Sequence, residues 1–272
     1  MPGYGAKSAQ LRVTDNRGQS TMITKNFSFS QPSVTPVAGQ YHNPARPGNR
    51  LDVYETVDSS LVVTWYTFDK AGTPVWYTSG AGPRNGAHWS QDLYKTTIKN
   101  GSPVHTVVGT VSLDFSTANT AWLQWQPNGS GVFEHVAGGE RFTYLFGGQG
   151  RSGAWYRPGD SGWGISVHES GQQLETAVGF HTPAGAPMWA SSQRVSPGSN
   201  LSLPLTIYKG KGLCPSCGGT SATSVHSSYS GSMTLQIANE STTTGTASTS
   251  FLGPNYTSIK KQLGPIELLT KP

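Results

Sequence analysis

The chain has 272 residues, with 19 Lys and Arg against 14 Asp and Glu, a net charge of +5 and only 12% charged residues. The charge is spread as +3 over residues 1–32, −1 over 33–148 and +3 over 149–272, so no basic stripe points to nucleic acid; the longest apolar runs, such as LVVTWYTF, fall far short of the roughly 20 residues of a membrane-crossing helix. Abundant Gly (34) and Pro (18) alone would suggest disorder, but 8 Trp, 11 Tyr and 9 Phe supply enough buriable surface for a folded, turn-rich chain.

The opening MPGYGAKSAQ has no apolar core and no cleavage site, so it does not read as a signal peptide. Residues 9–30 then alternate through Leu11 and Val13, turn at Asp-Asn-Arg-Gly and resume at Met22, which predicts a β-hairpin. This VTDNRG element resembles the last hairpin of polycystic-kidney-disease-type or other immunoglobulin-like modules. Two strands cannot make a sandwich alone, so residues 1–32 read as a partial module, and the PSVTPV segment at 32–37 reads as a stiff Pro-punctuated linker.

Residues 39–80 are restated at 153–193. Gly39/Gly153, Pro44/Pro158, Gly48/Gly162, Val53/Val167, Glu55/Glu169 and Trp76/Trp189 fall in the same places, at an offset of 114 and then 113 residues. The pattern is an internal duplication that predicts two modules, 33–148 and 149–272. Within each, LDVYE and ISVHE, then LVVTWYTF and LETAVGFH, then PVWYTS and PMWASS read as strands of a meander joined at DKAG and PAG turns. Further strands are expected at 105–115, 120–126 and 141–146, with counterparts at 201–210, 230–238 and 244–252. No helical periodicity is sustained, so the expected fold is all-β: two tandem antiparallel barrels or sandwiches, preceded by the N-terminal hairpin.

The second copy opens with G-x-W-Y-x-P-x-x-S-G-x-G, carried by Gly153, Trp155, Tyr156, Pro158, Ser161, Gly162 and Gly164, and continues to a G-x-P-x-W turn. It resembles a family of secreted β-modules of unknown function from Gram-negative bacteria. The first copy departs from the pattern, with Tyr41 and His42 at the aromatic pair and Asn49 and Arg50 in the glycine turn. The resemblance implies an exported β-rich module and no reaction.

The candidate functional residues therefore concentrate in the second copy. Trp163, between two glycines, is expected on a turn facing solvent, with Trp155 and Tyr156 beside it as stacking surfaces for sugar rings. Trp122 and Trp125 are three apart and point to opposite faces of a strand, so one of them is expected to be exposed. Glu169, like Glu55, has inward parity and reads either as a ligand-binding group or as an ion-paired strut. His168 and His181 lie on neighbouring strands, but the seven histidines show no paired metal spacing, and neither a metal nor a cofactor is expected. GDSGWG resembles the nucleophile loop of trypsin-like proteases, yet the first copy has PGNR there, which favours a turn over a nucleophile at Ser161. Cys214 and Cys217, in a Gly-flanked CPSC loop, are expected to form a small structural disulfide.

Taken together, these readings predict a non-catalytic extracellular, periplasmic or cell-surface binding module. Its expected partner is a polysaccharide or another cell-surface component, without nucleic acid or membrane insertion. The alternatives are an adhesin or filament subunit that self-assembles by strand addition, and a hydrolase built on Glu169, His168 or Ser161.

Overall fold

The computed structural model describes residues 5–29, 34–46, 48–210, 214–215, 226–252, 259–262 and 265–270, with the backbone alone at 5–6, 28–29, 161, 226–230, 252 and 259–262. The N-terminal strands are β1 (Gly5–Thr14) and β2 (Ser20–Phe29). Their turn forms as the sequence predicts: Asp15 Oδ1 accepts from Arg17 N and Gln19 N at 2.9 and 2.8 Å, and Gly18 takes φ 81°. The register Leu11↔Ile23 puts Leu11, Val13, Ile23 and Phe27 on one face.

The first repeat contains β3 (Gly39–His42), β4 (Arg50–Glu55), β5 (Leu61–Phe68), β6 (Pro74–Ser79), β7 (His88–Lys99), β8 (Ser102–Thr117), β9 (Thr120–Pro127) and β10 (Gly138–Phe146). Each strand pairs with the next, and β10 pairs back to β3, so the sheet closes as a barrel and leaves no edge. The second repeat follows as β11 (Gln149–Arg157), β12 (Asp160–Ser170), β13 (Gln173–His181), β14 (Pro187–Ser192), β15 (Asn200–Lys209), β16 (His226–Gln236) and β17 (Thr244–Leu252), then β18 (Ile259–Gln262) and β19 (Ile266–Thr270). Here β18 and β19 share the far edge of β17, and β19 closes onto β11.

The duplication holds down to the pairing register. Gly39 faces Val53 and Tyr41 faces Leu51, as Gly153 faces Val167 and Trp155 faces Ile165. Gly39 and Gly153 share left-handed φ values of 140° and 150°, and a Cβ on either would stand 2.8 Å from Phe146 O or 2.4 Å from Thr270 O. Only glycine lets the closing strand come this near.

Two expectations about strands are corrected. The strand β7 was not predicted: its inward residues Trp89 and Leu93 are separated by Gln91, whose amide fills the space beside Gly82, so the apolar alternation is broken. The counterpart of β8 is accordingly β16, and residues 201–210 match β7 instead.

Each barrel has its own aromatic core. In the first, Trp65 lies 5.0 Å from Trp125 and 5.8 Å from Tyr77, centroid to centroid. In the second, Phe180 stacks between Trp163 at 5.6 Å and Phe251 at 4.2 Å. Each such buried ring contributes about 1.5–3 kcal/mol. A third cluster, Tyr66, Phe68, Trp76, Ala177 and Trp189, belongs to neither interior and joins the two barrels.

Candidate functional site

The barrels meet through the outward faces of β4–β6 and β12–β14, and the contacts repeat about a pseudo-two-fold axis. Trp76 Nε1 donates to Phe180 O at 3.3 Å, and its image Trp189 Nε1 donates to Thr67 O at 2.9 Å, where Phe180 is the image of Thr67. Trp76 packs on His181 and Trp189 on Phe68, both at 5.7 Å between centroids. Ile98 N donates to Gly185 O at 3.0 Å, and Gly210 N to Gly72 O at 3.1 Å. The two copies are therefore docked as an isologous pair within one chain.

One flank of this interface is filled by charge. Arg50 Nε donates to Asp52 Oδ1 at 2.7 Å and Arg50 Nη1 to Glu175 Oε1 at 3.0 Å, while Glu175 Oε2 accepts from Arg194 Nε at 3.0 Å. On the axis, His168 Nε2 lies 2.8 Å from Tyr54 Oη and 3.2 Å from Asp52 Oδ1. Burial opposes the charge on Asp52, but Arg50 and His168 outweigh it and hold the carboxyl down at about 2. Burial lowers His168 below the ordinary imidazole range, and burial first, then Asp52, raises the Tyr54 phenol. All three side chains are fully enclosed, so the cluster holds the barrels together and presents no surface to a ligand.

The sequence-predicted residues separate accordingly. Trp163 is not a solvent-facing platform: it is 7% exposed and stacked in the second core, because β12 starts at Asp160 and gives residue 163 the inward parity of Ile165 and Val167. Trp155 is also interior, at 1%. Trp155, Tyr156 and Trp163 nevertheless border one cavity between the barrels. Glu169 accepts from Arg151 N at 2.9 Å and pairs with Arg151 Nη1 at 3.2 Å, and it points away from His168. His168 and His181 do not meet; His181 Nε2 lies 2.8 Å from Thr96 O of the first barrel. The side chain of Ser161 lies outside the described residues. Cys214 is buried, whereas Cys217, and with it the expected disulfide, lies outside them.

The exposed tryptophan is Trp122, at 42%, while Trp125 is interior at 3%. The alternation Ala121, Leu123, Trp125 inward and Trp122, Gln124, Gln126 outward produces this split. Register extends the outer face over four strands in three rows: His88, Asp114, Trp122 and Arg141; then Ser90, Ser112, Gln124 and Gly139; then Asp92, Thr110 and Gln126. At 4.7–4.9 Å between strands, this face is roughly 14 Å across. A Cβ on Gly139 would lie 2.7 Å from Trp122 Nε1, so the missing side chain lets the indole lie against the sheet.

Two adjoining depressions of about 370 and 450 Å³ share Trp125, Ala137 and Gly138 and make this face a continuous trough. At one end Asn43 Nδ2 donates to Glu140 Oε2 at 2.6 Å and Arg46 pairs with Glu140. Arg46 also donates to Cys214 O at 3.3 Å, which brings Pro215 of the second repeat to the rim. The trough's aromatic was visible in the sequence as the Trp122/Trp125 split; its polar rows required β7, which was missed. No family model, curated protein or solved structure matches the chain.

Proposed function

We propose that the chain is a non-catalytic carbohydrate-binding module acting outside the cytoplasm, and that it holds a polysaccharide along the β7–β10 face of the first barrel. The observation that carries this reading is Trp122: a half-exposed indole laid over Gly139, beside rows of amide and hydroxyl side chains. A sugar ring offers a CH face to an indole and hydroxyls around its rim, so it needs a flat aromatic next to Gln and Ser groups that donate and accept. The trough is open and polar enough for a chain to lie along it. Retention on a panel of insoluble and soluble polysaccharides tests the reading. Trp122→Ala is expected to reduce binding of the retained polymer at least tenfold, and the reading fails if the variant binds as tightly as the parent.

The hairpin favours a second reading, assembly with another copy. Leu11, Val13, Ile23 and Phe27 are 46–60% exposed on one face of a two-stranded ribbon that pairs with no third strand among the described residues. Such a ribbon gains stability from further strands. Deleting residues 1–31 converts an oligomer to a monomer on this reading, and an unchanged monomeric mass for both proteins removes it.

A further inference from the structure

The pseudo-two-fold axis makes each flank of the interface the image of the other, yet the flanks have diverged. On one side Arg50 of the first barrel, with Asp52 and the Tyr66 ring against it, reaches Glu175. Their images on the other side are Gly164, Ser166 and Gly179, which face Val62, the image of Glu175. Charge fills the first flank. The second retains a cavity of about 240 Å³.

The shape of this space follows from the missing side chains. A Cβ on Gly164 would meet nothing within 4 Å, and a Cβ on Gly179 would touch the Trp76 indole at 2.9 Å, so Trp76 forms a flat wall and Gly164 an open floor. The mouth lies at His105 and Leu269, the latter 55% exposed. Among the described residues no Asp, Glu, Lys or Arg lines the cavity; its polar groups are hydroxyls, including those of Thr64 and Thr78, and the His105 imidazole at the mouth. A charged ligand would lose its hydration with no counter-charge to meet it. An apolar ring with one hydrogen-bonding group loses little and gains the contact with Trp76.

We infer that this cavity is a binding site for a small neutral aromatic molecule of one or two fused rings carrying a single hydroxyl or N–H donor. A dry cavity of about 150 Å³ accommodates benzene, so the larger space here fits a bicyclic ring. Because both barrels supply its walls, the ligand acts as a wedge that joins them. The site is separate from the Trp122 trough and does not depend on the carbohydrate reading.

Titration of the full chain with indole and 2-naphthol, followed by calorimetry and by thermal shift, tests the inference, with glucose as the polar control. Saturable 1:1 binding of at least one aromatic and none of glucose is expected, with a rise in Tm. Gly164→Leu, whose side chain would enter open space from a backbone without left-handed φ, is expected to weaken binding at least tenfold. Thr64→Leu, which fills the cavity from the opposite wall, is expected to do the same should the first variant not fold. Absence of saturable binding to either aromatic overturns the inference, as does undiminished binding in a folded filled variant.

Discussion

Tyr54 and His168 occupy the same position in the two copies, and their side chains meet at 2.8 Å across the axis that relates the barrels. A residue that touches its own image must be self-complementary in a symmetric pair. Duplication within one chain removes that requirement, and here a phenol faces an imidazole, with the rings stacked at 5.4 Å and 17°. Tyr54→Phe keeps the ring and deletes the hydroxyl beside a fully buried nitrogen. The expected cost is about 1–3 kcal/mol in denaturant unfolding, with the stacking preserved. No loss of stability would mean that this contact does not hold the barrels.

The charged flank predicts a reversal on double substitution. Arg50→Met leaves Asp52 and Glu175 without their shared cation and is expected to cost about 3–5 kcal/mol. Adding Asp52→Ser, the residue its image Ser166 already provides, removes the orphaned carboxylate and is expected to restore at least half of that loss. A double-mutant cycle with purely additive costs would contradict the coupling.

Stability is expected to fall in acid in two windows. Burial lowers the imidazole of His135 to about 4 and also lowers His168, so the folded protein keeps both neutral where the unfolded chain protonates them. The contribution of each is complete above about 6.5; that of His135 is lost as pH falls toward 4, at about 1.4 kcal/mol per unit of displacement, and that of His168 is lost below its ordinary range. Asp52, held at about 2, contributes above its ordinary value and loses that contribution between about 4 and 2. Urea midpoints at pH 7.5, 5.5 and 4.5 measure the first window, and His135→Phe is expected to flatten it. A midpoint constant across that range would exclude the histidine effect.

Most of the fold was legible in the sequence because closed barrels leave local marks. Alternation in LVVTWYTF, the left-handed glycines of the DKAG and PAG turns, and the matched Gly39 and Gly153 each report a conformation fixed within a few residues. The site was less legible because exposure depends on parity and on neighbours far along the chain. Trp163 between two glycines resembles a turn, but pairing of Gly164 with Gly179 carries β12 through it and turns the indole inward. The equivalence of Glu55 and Glu169 was readable, whereas Arg151 as the partner of Glu169 was not. Nor does local pattern show that Trp76 and Trp189 serve the join between barrels and not their interiors.

Gly139→Val places a side chain under the Trp122 indole and is expected to lift it from the sheet, since the nearest atom, Trp122 Nε1, belongs to a movable ring, while Leu123 O at 3.1 Å needs to give by only a few tenths of an ångström. Polysaccharide affinity is expected to fall by a factor of about ten while the urea midpoint changes little. Equal affinity in parent and variant would show that the flat seating of the indole is not used.

The most direct measurement is a backbone amide shift map of the chain titrated with the polysaccharide it retains. Binding along the trough predicts that the perturbed amides cluster at Ser112, Trp122, Gln124, Gln126, Gly139 and Arg141, with the second-barrel residues Val167 and Phe180 unmoved. Perturbations confined to the second barrel, or spread without a cluster on β8–β10, would contradict the assignment.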